Sequence, residues 1–167
     1  ESHLSFPILS YYRSQHDNQS WLAALTSVLD VCAVFIAAVK EVSPFQAQLT
    51  FAMARHAVVD LALVFKARAQ SPDTDRLPPE RLERLRQLLQ EAGFQLHELT
   101  ATQTKLSELR GMYEPFVYVL SRRFLFTLPD ILPDHPDPDN WQRSAWMKRA
   151  PGISSLPVIS TGDGHFT

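Results

Sequence analysis

The chain has 167 residues, 45% of them hydrophobic and 20% charged, which suits one domain with a substantial core. Its net charge of −2 gives no electrostatic footprint for nucleic acid, and the single Cys32 excludes both an intrachain disulfide and a CxxC metal knuckle. Five glycines against twelve prolines argue against Gly-rich phosphate loops and against a sheet with many tight turns.

The chain opens Glu1-Ser2-His3 without Met and shows no signal-peptide pattern, so the expectation is a piece of a longer protein. Residues 1–16 have no clean period, and Pro7 blocks an early helix. They read as a lead-in. The polar run that follows, Arg13 to Ser20, contains His16 and Asp17. It could contact a ligand or a partner subunit, or serve as an elaborate helix cap.

A first helix is expected from Asp17 or Asn18, whose side-chain oxygens suit an N-cap, through residue 39. Trp21, Leu25, Val28, Cys32, Phe35 and Val39 recur at spacings of three and four and predict the apolar stripe. Ala23, Thr26, Ser27, Asp30 and Ala37 form a second face of small residues, against which another helix can approach closely. Residues 21–39 are long enough to span a bilayer. Asp30 at their centre would cost about 2.5–3.5 kcal/mol there, which favours a buried core helix.

A second helix follows the break at 40–44. Ser43, Pro44 and Gln46 supply an N-cap, a first-turn proline and a capping box. It is expected to run to about Ala69 with apolar residues all around its axis, which predicts the most buried element. Residues 70–79 read as a polar loop. A third, amphipathic helix is expected over 79–92, with Leu82, Leu85, Leu88 and Leu89 inward and Gly93 as its stop. Residues 94–126 read as one long helix or two, with a kink near Pro115. Residues 127–167 hold many of the prolines, and a short helix over 140–149 is expected to pack Trp141 and Trp146 back on the bundle.

The predicted fold is therefore all-α: a helical bundle over residues 1–126 built on a central antiparallel helical hairpin, with a Pro-rich tail over 127–167. No GxSxG, HExxH, Walker or GxGxxG pattern occurs, so the expectation is a protein that is not an enzyme and holds no cofactor or metal. His56 and Asp60 sit at i, i+4, a spacing that could ligate a metal or simply hydrogen-bond. Asp30, a carboxylate in an apolar helix, needs a partner, and Arg55 or His56 on the neighbouring helix is expected to supply it. A register-fixing polar network among Asp30, Arg55, His56 and Asp60 is the candidate site. A stand-alone ligand- or metal-binding module near Asp30, His56 and Asp60 is the alternative.

Three blocks carry a resemblance. Residues 14–25 (SQHDNQSWLAAL), 48–61 (QLTFAMARHAVVDL) and 109–120 (LRGMYEPFVYVL), with Asn140, Trp141, Gln142 and Trp146 beyond them, are similar to segments of a bacterial potassium channel family with two transmembrane segments. The resemblance implies a cytosolic C-terminal domain used for assembly or gating, at the cytoplasmic face of the bacterial inner membrane. It implies a transmembrane pore upstream in the same chain and a homo-oligomer. A TVGYG-like selectivity filter is absent from these residues, so this segment is not expected to conduct ions alone.

Overall fold

A computed structural model describes residues 20–40 and 43–134. The described residues form five helices: α1 (Trp21–Ala38), α2 (Pro44–Val64), α3 (Pro79–Glu91), α4 (Leu99–Gly111) and α5 (Glu114–Phe124). They contain no strand, only an isolated antiparallel bridge between Val39 and Leu96. The fold class is all-α. His16, Asp17, Asn18 and the tail tryptophans Trp141 and Trp146 lie outside the described residues.

Helix α1 is the hub. It packs most extensively against α2 and also against α4 and α5. Its N-cap is Ser20, whose hydroxyl accepts the Ala23 amide at 3.0 Å. The inward face is Leu22, Thr26, Leu29, Ala33 and Ala37; of the larger stripe expected from the sequence only Cys32 and Val39 are buried. Val28 is exposed and Trp21, Leu25 and Phe35 are only half-buried. Small residues won because three helices crowd this face. Ala33 and Thr26 are completely buried, and Thr26 returns its hydroxyl to the Leu22 carbonyl at 2.7 Å.

Helix α2 departs further from expectation. It ends at Val64, Ser43 makes no side-chain cap, and Gln46 reaches Thr50 instead of completing a capping box. Only Phe51, Ala54, Val58 and Ala62 are buried within it. It is therefore not the most buried element, and Phe45, Leu49, Met53 and Leu63 face outward. Both α1 and α2 are long and apolar enough to cross a membrane; the bundle buries 56% of α1 but only 17% of the apolar 18-residue stretch of α2.

The chain leaves α2 through a Schellman turn in which Lys66 takes a left-handed conformation (φ 51°) and the Ala67 amide donates to the Ala62 carbonyl at 2.8 Å. Gly93 ends α3 in the same way (φ 89°), as its place after the leucine stripe predicts. The following loop is tied to the end of α1: the His97 amide donates to the Ala38 carbonyl at 2.8 Å and the Lys40 amide to Gln95 at 2.9 Å. Residues 94–126 are two helices, because Pro115 at the second position of α5 has no N–H to continue α4 and its ring crowds the carbonyl four residues back.

At one end, Phe124 stacks edge-on against Trp21 (5.9 Å) and Phe65 (4.8 Å). The start of α1 and the end of α2 therefore meet, and the two helices run antiparallel. Residues 127–134 also pack on the bundle, with Leu128 and Ile131 against its core.

Candidate functional site

The polar centre of the bundle is a buried ionic network that begins at Asp30. This residue is 5% exposed on the inward face of α1. Its Oδ1 accepts from Arg76 Nη2 and from the Tyr113 hydroxyl, each at 2.5 Å. Arg76 lies in the loop before α3. It also donates from Nε to Glu114 Oε1 at 3.4 Å and from Nη1 to the Pro129 carbonyl at 3.2 Å. Glu114 takes a second cation, Arg110 Nε at 2.9 Å, and Arg110 reaches on to Asp75 at 2.5 Å. Asp75 turns back to accept the Leu77 amide at 2.9 Å, which fixes the loop that presents Arg76.

Local sequence explains this convergence. Pro115 breaks the helix just where Tyr113 and Glu114 must point inward. Arg110, one turn earlier on α4, comes to the same side at i, i+4 from Glu114. Tyr113 is fully buried, and its ring meets Phe51 of α2 edge-on at 5.9 Å. One side chain thus packs its ring on α2 and hydrogen-bonds α1 with its hydroxyl.

The electrostatics follow from burial. Desolvation pushes the Asp30 carboxyl above its ordinary range, against the opposing pull of Arg76 and the Tyr113 hydrogen bond; nearby Glu114 adds to the rise. Desolvation also raises the Tyr113 phenol, reinforced by the Asp30 charge, so it remains a hydrogen-bond donor. Asp75 is partly desolvated, but the Arg110 and Leu77 hydrogen bonds outweigh that and hold its carboxyl below the usual value. Three carboxylates face two guanidinium groups, which leaves one negative charge in excess when all are ionised.

The site expected from the sequence does not assemble. Asp30 pairs with Arg76 and Tyr113, not with Arg55 or His56. Arg55 instead donates to the Met112 carbonyl at 3.0 Å, capping the end of α4 from the side of α2. His56 and Asp60 do pair, at 3.2 Å, but on the surface, with side chains 73% and 55% exposed. Asp30 lies on the inward face of α1, so the three do not form one site. Among the described residues no group of three His, Cys, Asp or Glu could hold a metal ion.

Arg76, Arg110 and Glu114 were not legible as site residues. The only signal was negative: a buried aspartate requires a cation, and the sequence offers many. Within the network the Asp30 and Glu114 carboxylates are shielded, while that of Asp75 is half-exposed. Two open clefts, of about 200 and 320 Å³, share its outer edge at Asp75, Ser107 and Arg110. What the arrangement does is tie α1, the loop before α3, the α4–α5 junction and Pro129 to one another.

No protein family, curated protein or solved structure matches the chain.

Proposed function

We propose that this chain is a non-catalytic helical module: the cytosolic C-terminal assembly or gating domain of a bacterial two-transmembrane potassium channel. It would act at the cytoplasmic face of the inner membrane as part of a homo-oligomer. The observation that carries the module reading is how the polar and apolar groups are partitioned. The core ionic groups are satisfied by one another, while a long apolar helix face is left outward. Such a molecule is built to pack, not to transform a substrate.

The channel assignment rests on the three sequence blocks. The second lies on α2 and includes the outward Leu49 and Met53, and the third spans the α4–α5 break with Arg110, Tyr113 and Glu114. In this reading the domain biases the pore by holding alternative packings of its helices. The coding sequence upstream of Glu1 is the test. Two apolar spans bracketing a TVGYG-like filter are expected there, and an upstream region without them ends the channel reading.

A further inference from the structure

Helix α2 carries two apolar stripes on opposite sides. At 100° per residue, the buried Phe51, Ala54, Val58 and Ala62 fall within an arc of about 80°. Phe45, Leu49, Met53, His56, Asp60 and Leu63 fall within a second arc of about 80°, centred on the opposite side. Met53, Leu63 and Phe45 are 64–70% exposed. Arg55 is the only Lys or Arg of the helix, and it is turned to the Met112 carbonyl. A solvated helix face would ordinarily carry several long charged side chains.

We infer that this outward stripe is a two-fold interface with a second copy of the chain, α2 packing antiparallel on α2. The stripe is self-complementary, which is what an isologous contact requires. A two-fold axis crossing the helix at the level of Val58 sets His56 opposite Asp60 of the second copy and Met53 opposite Leu63. Both pairs occur twice by symmetry. The donor and acceptor that satisfy each other at 3.2 Å in the single chain exchange partners across the axis, so neither is buried unpaired. A lipid surface would instead take the Asp60 carboxylate into hydrocarbon with no such exchange. The inference deepens the assembly reading, and rests on it only for its biological setting.

The test is sedimentation of the 167-residue chain over a concentration series, with circular dichroism to check folding. A dimer is expected. Met53→Glu should weaken it at least about tenfold at unchanged helicity. His56→Asp, which sets like charges across the axis, should do the same, and the double reversal His56→Asp/Asp60→His should restore the dimer. Ala101→Glu, on α4, should leave it intact. A monomeric wild type, a dimer indifferent to Met53→Glu, or a double reversal that stays monomeric would each overturn the interface. So would a monomer that binds phosphatidylglycerol vesicles through Met53, which would make the stripe a lipid contact. These results are independent of the upstream sequence, so the interface and the channel reading can fail separately.

Discussion

Arg76 shows how much one side chain in a loop can decide. It serves three acceptors: Asp30, Glu114 and the Pro129 carbonyl. Arg76→Ala leaves the buried Asp30 carboxylate without a cation and Glu114 with Arg110 alone, and is expected to cost about 3–5 kcal/mol. Asp30→Ala leaves Arg76 with Glu114 and Pro129, so its cost should be smaller, about 1–3 kcal/mol. Urea unfolding at neutral pH checks the order, and equal losses would show that Arg76 acts through Asp30 alone. The two acids at the ends of the network should respond to pH with opposite signs. The Asp30 carboxyl is raised by burial, so the folded state binds its proton more readily than the unfolded chain does. Wild type should gain on Asp30→Asn as pH falls through the raised Asp30 value, the gain being complete below the ordinary carboxylate value. The Asp75 carboxyl is depressed, so its stabilisation is present above the ordinary value and is lost as pH falls through the depressed one. Wild type should therefore lose ground to Asp75→Asn in strongly acid solution. Melting curves of the three proteins across that range test both signs.

Helix ends divide into those written in the sequence and those set by neighbours. Gly93 could be read as a stop because glycine after a leucine stripe favours the left-handed turn, and it adopts φ 89°. Gly93→Ala should destabilise by about 1 kcal/mol. Lys66 makes the same turn at the end of α2 with a side chain that resists it, so the sequence gives no sign that α2 stops there. Lys66→Gly should raise stability by about 0.5–1 kcal/mol, the relief of strain exceeding the added freedom of the unfolded chain. Both are read as shifts in the denaturation midpoint at constant slope. Apolar residues on every side of α2 predict a rod enclosed by its own bundle, yet the same pattern describes two opposite stripes, one buried and one outward.

At the scale of the whole molecule, α1 alone occupies the centre, and its small residues set how closely α2, α4 and α5 approach. Ala33, fully buried, has no room for a larger side chain. Ala33→Leu should cost about 1–3 kcal/mol, while Ala101→Leu on the exposed side of α4 should change stability little. Thermal unfolding of the pair tests α1 as the hub. By itself the sequence determined the all-α class, the starts of α2 and α3 at their prolines, the end of α3 at Gly93 and the need of Asp30 for a partner. These are local properties: period, caps and the cost of stripping water from a charge. Only the tertiary structure decided that the partner is Arg76, that Trp21, Leu25, Val28 and Phe35 of the larger α1 stripe stay partly or wholly outside, and that Phe45, Leu49, Met53 and Leu63 of α2 face outward. Each depends on which distant segments meet in space, and a one-dimensional pattern of polarity is compatible with many such meetings.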